Sequence, residues 1–432
     1  MRFASTRGGS VSASLGEALL DGLAPDGGLF VPEVLPRLPE TVLNSLRDHD
    51  PLDLAVVVAQ HLLGDDLTAT ELEPLVRGAL DFPIPLQPVE RAIGALELFW
   101  GPTLAFKDVG ARFMAALMGH LRRDDDAELT MLVATSGDTG SAVAQAFHGR
   151  EGFRVVVLFP QGRISEAQRK LFTTLEGNVT TYAVDGTFDD CQRLVKEAFG
   201  DAELRGARPL ASANSINVGR LLPQTLFYFM GYVQTPPDAP ALVCSTPSGN
   251  FGNLTAGLYA KHIGLPVDRF VAATNVNDVV PEYLSSGEFR PRPSLQTVAN
   301  AMDVGNPSNF ERIVHLYDDD LEALRADLAG NRYTDDEVLA TIAEVDDLRG
   351  VLLDPHSAIG YAALRTALAR RPQAYGMFLA TAHPAKFPET VEKATGKPVE
   401  LPTALAEPMA KADRSEPLPA SYAAFRDALT AS

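Results

Sequence analysis

Gly101-Pro102-Thr103-Leu104-Ala105-Phe106-Lys107-Asp108-Val109-Gly110 decides how the rest of the chain is read. Lys107 closes an apolar run at the point where helical spacing begins. A lysine in such a place is ordinarily a solvated charge at a helix end. Here Ala105 and Phe106 flank the amine, and Gly110 thins the backbone one turn on. Apolar walls desolvate an ammonium and lower its pKa, so a neutral amine becomes available. Such an amine attacks carbonyls and forms Schiff bases. A phosphate-bearing carbonyl cofactor would also need a cradle for its phosphate elsewhere in the chain.

Ser248-Gly249-Asn250-Phe251-Gly252-Asn253 supplies a candidate cradle. It follows a strand pattern at 241–244 and opens a helix pattern at 253–262. A glycine-rich turn at a helix N-terminus offers backbone N–H groups and a positive dipole end to an anion. It lacks the Lys-Ser/Thr ending of a Walker A loop. Thr135-Ser136-Gly137-Asp138-Thr139-Gly140 stands in the same context, after a strand at 129–134 and before a helix at 139–147. Its hydroxyls suit a carboxylate or phosphate, with a plain helix cap as the alternative. Its spacing is not the dinucleotide fingerprint.

Polar Asn214, Ser215 and Asn217 lead to Arg220 in Ala211-Ser212-Ala213-Asn214-Ser215-Ile216-Asn217-Val218-Gly219-Arg220. Alternate side chains can face one pocket, and arginine offers a bidentate fork to an anion. A helix cap with a surface arginine is the bland alternative. Thr381, in Leu379-Ala380-Thr381-Ala382-His383-Pro384, ends a strand where parallel α/β sheets bind ligands. His383 reads as a turn residue, and Asp354-Pro355-His356-Ser357 as a helix start.

The 432 residues are 46% hydrophobic and 22% charged, enough for a large core and two or three domains. A net charge of -19 argues against nucleic-acid partners and anionic membranes. An anionic small substrate would therefore need a locally basic pocket. The two cysteines, Cys191 and Cys244, form no disulfide framework or zinc signature, which fits a reducing cytoplasm. The eight histidines show no metal-ligand spacing, and no apolar run has membrane-spanning length. The first 14 residues lack the apolar core of a secretory signal.

Apolar spacing predicts helices at 15–20, 41–46, 52–63 and 72–80, with a turn-rich loop at 25–32. A proline-rich break at 81–88 separates this N-terminal helical domain, 1–85, from the remainder of the chain. Short apolar strands then alternate with helices, beginning with a strand at 96–100. That pattern predicts parallel sheet covered on both faces. The expected division is 86–215 for a smaller α/β domain with the lysine, and 216–432 for a larger one with the glycine-rich loop. Residues 316–350 read as a charged helical surface, and 421–429 as a last helix.

Together these motifs resemble the threonine synthases, pyridoxal-phosphate enzymes of the tryptophan-synthase-β-like fold (fold type II). The segment 97–110 is similar to the lysine-attachment signature of the serine/threonine dehydratases. The resemblance begins at Ser5-Thr6-Arg7-Gly8 and Asp26-Gly27-Gly28-Leu29-Phe30-Val31-Pro32, segments that dehydratases lack, and runs to Thr395-Gly396. Trp100 departs from it, standing where many relatives carry histidine. The resemblance implies two parallel-sheet-based domains with an N-terminal mainly helical one. It also implies pyridoxal 5'-phosphate as cofactor, held by Lys107 as a Schiff base. Gly249, Asn250, Phe251, Gly252 and Asn253 would cradle its phosphate, Asp138 would lie near its ring hydroxyl, and Thr381 would meet its pyridine nitrogen. Arg112, Ser136, Thr139, Asn214, Ser215, Asn217 and Arg220 would bind substrate. The implied reaction makes L-threonine and phosphate from O-phospho-L-homoserine and water, in a cytoplasmic monomer or homodimer. A phosphate-lyase relative, a dehydratase and a nucleotide-binding module are the alternatives.

Overall fold

The computed structural model describes residues 1–122 and 126–431. Strands Leu129–Ala134 and Leu242–Pro247 are buried at every position, because helices cover both faces of their sheets. Five parallel strands form one sheet, in the order Glu416–Pro419, Val179–Asp185, Phe153–Pro160, Leu129–Ala134, Leu210–Ser212. Six form the other, in the order Leu328–Arg332, Arg269–Thr274, Leu242–Pro247, Tyr375–Ala380, Ile93–Glu97, Leu86–Glu90. All neighbours in this second sheet are parallel except the last two strands.

The expected strand at 96–100 is shifted to Ile93–Glu97. The proline-rich break contains a real strand, Leu86–Glu90. Pro88 is tolerated there because the strand is an edge, and the register slips between Pro88 and Glu90. The sheets do not follow the expected boundaries either. Strands at 86–97 join the sheet built mainly by 242–380, while Glu416–Pro419 crosses back to pair with Val179–Asp185. Periodicity marks at most that a segment can be a strand, never which sheet accepts it. Leu328–Arg332, inside the segment read as helical surface, is likewise an edge strand.

The N-terminal region is helical at Leu15–Asp21, Pro51–Leu63 and Ala69–Ala79. Part of the loop read at 25–32 is strand, Phe30–Pro32, which pairs antiparallel with Phe3–Ser5. Three-residue strands are too short to show alternation. Asp26 ties the two ends of this hairpin, accepting from the Ser5 hydroxyl at 2.7 Å and the Gly28 N–H at 2.9 Å. A Cβ on Gly28 would stand 2.3 Å from the Ser5 hydroxyl, so the Asp-Gly-Gly string is needed for that closure. The region is locked on by Arg312, fully buried. Its guanidinium donates to the carbonyls of Phe30 at 2.9 Å and Ile216 at 2.7 Å, and to Asn309 at 2.6 Å.

Helix Lys107–Leu121 packs Val109, Phe113 and Leu117 into the core shared with the N-terminal helices. Gly110 lets it pass the turn at 217–220, since a Cβ there would lie 2.6 Å from the Arg220 carbonyl. That close approach brings Lys107 and Arg220 to one place.

Candidate active site

Parallel strands aim their carboxyl ends at a shared cleft, and the candidate residues follow those ends. Ser136 comes just after Leu129–Ala134, Asn214 after Leu210–Ser212, Ser248 after Leu242–Pro247, and Thr381 after Tyr375–Ala380. Between them lies a cavity of about 950 Å³. Lys107, Ser136, Asp138, Thr139, Asn214, Ser215, Arg220, Gly249 to Asn253 and Thr381 all line it. Leu20, Asp21, Leu23, Ala24 and Pro25 of the N-terminal region also line it.

Two backbone seams set Lys107 opposite Thr381. The Phe106 N–H donates to the Thr381 carbonyl at 2.9 Å, and the His383 N–H to the Leu104 carbonyl at 3.0 Å. Leu104 takes a left-handed backbone, φ 56°, to make this turn. Asp108 folds back, accepting from the Thr103 N–H at 2.8 Å and hydroxyl at 2.7 Å. Burial raises its carboxyl to about 6.

Burial lowers the Lys107 amine to about 8, against the opposing pull of Asp138 and with help from Arg220 and Lys386. Asp138 is paired with Lys386, which is fully buried: their charged atoms are 2.7 Å apart. Lys386 also donates to the Thr103 carbonyl at 2.8 Å, and Gln168 donates to Asp138 at 3.0 Å. Burial by itself would raise Asp138, but Lys386, Lys107 and these hydrogen bonds hold it well below the carboxylate range. Lys386 and Gln168 went unrecognised in the sequence, because nothing local marks a lysine as buried.

The glycine-rich loop is built by its own side chains. Asn253 donates to the Pro247 carbonyl at 2.9 Å and accepts from the Ser248 hydroxyl at 2.6 Å. Asn250 bridges the Ser215 hydroxyl at 2.5 Å and the Ser308 N–H at 2.6 Å. Phe251 is left-handed, φ 61°, and helix Gly252–His262 starts immediately after it. Among the described residues, the backbone N–H groups of Gly249 to Asn253 have no protein acceptor. A Cβ on Gly249 would meet the Met302 backbone at 2.7 Å, whereas one on Gly252 finds its nearest neighbour 3.5 Å away. Gly249, rather than Gly252, is therefore the sterically demanding position. Gly249→Ala is expected to raise the Kd for pyridoxal phosphate about tenfold, since overpacking costs about 1–3 kcal/mol. Gly252→Ala should stay near wild type, and Gly252→Asp should weaken binding by charge. Fluorescence titration of cofactor-free protein checks this, and wild-type affinity in Gly249→Ala would show the loop to be a plain turn.

Arg220 is 3% exposed, and one Nη donates to the Ala213 carbonyl at 2.9 Å. Among the described residues its Nε has no partner, nor do Asn214 Oδ1 and Gln224 Oε1, all three buried beside the cavity. Buried polar atoms without partners are costly unless a ligand satisfies them. Burial lowers Arg220 only to about 10, so it stays cationic. A glycine cradle with free N–H donors, a lysine amine at about 8 and an unsatisfied arginine fit an anionic, carbonyl-bearing cofactor and an anionic substrate.

Two expected substrate ligands lie elsewhere. Arg112 points from its helix to the Gly78 carbonyl at 2.7 Å and Asp81 at 2.7 Å, outside the cavity lining. Arg112 stands more than a full turn beyond Lys107, at about 3.6 residues per turn, so it leaves the helix on a different face. Asn217 is fully buried, with its amide donating to the carbonyls of Leu19 at 2.8 Å and Ser212 at 3.0 Å. Its oxygen caps Gly219 at 2.9 Å, so no polar atom is left for a ligand. Trp100 is 43% exposed and donates to Glu97, away from the cleft. His383 caps the turn Pro384–Lys386. Asp354 caps helix Pro355–Leu368 as expected, but His356 also reaches the cavity wall.

The fold and the lining of this cleft define a pyridoxal-phosphate-dependent enzyme of fold type II. The model of that class, "pyridoxal-phosphate dependent enzyme", matches residues 86–376. "Threonine synthase N terminus" matches 2–80 and "threonine synthase, C-terminal" matches 357–429. A threonine synthase of Escherichia coli (strain K12) is 47% identical over 415 residues, 96% of this chain and 95% of the relative. The crystal structure of threonine synthase from Escherichia coli superposes with TM-score 0.94 at 45% identity, covering 100% of both chains. A pyridoxal-phosphate-bound threonine synthase from Brucella melitensis superposes with TM-score 0.92 at 36% identity, covering 99% of this chain and 98% of that one. The chain belongs to the threonine synthase family.

Proposed function

We propose that this chain converts O-phospho-L-homoserine and water into L-threonine and phosphate, with pyridoxal 5'-phosphate as its cofactor. The observation that supports the reading is a polar cluster beside the glycine loop, Arg220 with Asn214 and Ser215, in which the Arg220 Nε has no partner among the described residues, and which suits a second anion. A dehydratase substrate would bring only its carboxylate to this cluster, whereas phosphohomoserine brings a carboxylate and a phosphate, and Arg220, Asn214, Ser215, Ser136 and Thr139 offer polar groups for both.

Lys107 would hold the cofactor, and the N–H groups of Gly249 to Asn253 would hold its phosphate. Asp138, kept ionised by Lys386, would face the ring hydroxyl, and the Thr381 hydroxyl the ring nitrogen. When bound, the cofactor supplies an electron sink for carbanion chemistry. Arg220, Asn214 and Ser215, with Ser136 and Thr139, would bind and orient the substrate's phosphate and carboxylate. The Lys107 amine then takes and returns protons at neighbouring substrate carbons. One base fixed over one face serves several steps, which is a positioning effect. Arg112 and Asn217 are not part of this assignment.

The net charge of -19 and the two buried free cysteines support work in the reducing cytoplasm, as a monomer or homodimer without nucleic-acid or membrane partners. No helix among the described residues is long and apolar enough to cross a membrane.

The direct test is product stoichiometry. One threonine per phosphate released is expected, with serine, threonine and homoserine poor substrates. Phosphate with 2-oxobutyrate and no threonine would mean a phosphate-lyase, and ready deamination of serine a dehydratase. Arg220→Gln is expected to raise KM for phosphohomoserine about 10- to 100-fold, the worth of a charge-assisted hydrogen bond, while cofactor Kd changes little. An unchanged KM would remove Arg220 from the substrate site.

A further inference from the structure

Asp354 and His356 do more than start a helix. The Asp354 carboxylate, fully buried, accepts from the backbone N–H of His356 at 3.0 Å and of Ser357 at 3.1 Å, an ordinary helix cap. It also faces Nδ1 of the His356 ring at 2.6 Å. The other ring nitrogen, Nε2, lies 3.2 Å from the backbone nitrogen of Ala301, 55 residues away in sequence. A backbone N–H can only donate, so Nε2 is the bare acceptor and the ring proton sits on Nδ1 toward Asp354. His356 is 3% exposed and packs on Phe387 with ring centroids 4.8 Å apart, which leaves the imidazole one orientation.

Ala301 belongs to the turn Asn300–Met302. This turn is the wall behind the first glycine of the anion loop. A Cβ on Gly249 would come within 2.7 Å of Met302 Cα and 2.9 Å of the Ala301 carbonyl oxygen. A line of hydrogen bonds thus runs from Asp354 through the imidazole to the backbone that backs the loop. Ser357 extends the same network toward the other end of the cavity: its hydroxyl bonds Asp354 and accepts from the Thr381 N–H at 3.2 Å.

We propose that His356, locked in its Nδ1–H tautomer by Asp354, is a positioning residue that sets the turn Asn300–Met302 and so the width of the phosphate cradle at Gly249. It acts through Ala301, not on reacting atoms. The proposal deepens the cofactor reading and rests on it.

The test compares two probes on cofactor-free protein: pyridoxal 5'-phosphate and pyridoxal, which lacks the phosphate. His356→Asn keeps an amide N–H for Asp354 but is too short to reach Ala301. His356→Phe keeps the ring packing and removes both polar contacts. His356→Gln carries a carbonyl oxygen near the position of Nε2. Binding is followed by fluorescence titration, with circular dichroism as the check on folding. In whichever of the Asn and Phe variants folds, Kd for pyridoxal phosphate is expected to rise about tenfold, as for an orphaned buried donor, and Kd for pyridoxal to stay within about twofold. His356→Gln should recover most of the phosphate preference. Equal weakening for both probes would assign the histidine to general stability and overturn the proposal, as would unchanged affinity for both. A wild-type protein without preference for the phosphorylated probe would overturn the cofactor reading itself.

Discussion

Lys107→Ala is expected to lower turnover by about four orders of magnitude, because it removes both the cofactor's covalent anchor and the general base. Wild-type protein should show visible absorbance, and borohydride should fix the cofactor on Lys107, located by peptide mapping. The variant should show neither. The pH dependence comes from the burial that lowers the amine to about 8. Below that value the amine is protonated and cannot attack an aldehyde, and above it the amine is free. The rate at which cofactor-free protein captures pyridoxal phosphate should therefore rise through about pH 8 and level off. A label on another lysine, or turnover surviving in the variant, would remove Lys107 from its assigned place.

Lys386→Met is expected to destabilise the cofactor-free protein by about 3–5 kcal/mol, as removing one member of a buried ion pair does. The lost contacts are the 2.7 Å pair with Asp138 and the 2.8 Å bond to the Thr103 carbonyl. Asp138 would be left with Lys107 and Gln168 alone. Lys107 should respond too: it loses a repelling cation and feels Asp138 more strongly, so its pKa rises. The sign for Asp138 is also set. Its partners hold it below its ordinary 3.8, so its share of stability is present above that pH and is lost as pH falls toward the depressed value. The gap between wild type and variant should accordingly narrow in acid. Adding Asp138→Asn should restore much of the loss, since the uncompensated charge is gone. Urea unfolding measures all of this, and a single variant within about 1 kcal/mol of wild type would mean that the pair is not buried as described.

His356 and Lys386 are alike in how the sequence presents them. His356 stands in a segment read there as a helix start and Lys386 just after His383, read as a turn residue, and both readings hold locally: Asp354 does cap a helix, and Pro384–Lys386 is a turn. Their further partners, Ala301 and Asp138, lie in distant segments of the chain. No local pattern encodes such a pairing. Arg112 and Asn217 fail in the opposite direction. Each has the right chemistry close to a motif, but the helix carries Arg112 past a full turn from Lys107 to Asp81, and Asn217 spends every polar atom on backbone.

By itself the sequence determined the alternation of buried strands and helices, the lysine at a helix start, and the glycine loop opening another helix. Those are local matters of apolar period, backbone freedom and chain direction. The motifs carried the family as well, since they preserve the spacing around each strand end. Only the tertiary structure decided which sheet takes the strands at 86–97 and 416–419, that Gly249 and not Gly252 is the tight glycine, and that Lys386 lies buried against Asp138. Strand partnership, close backbone approach and the burial of a charge are set by groups distant along the chain. They exist only once the two sheets close around one cleft.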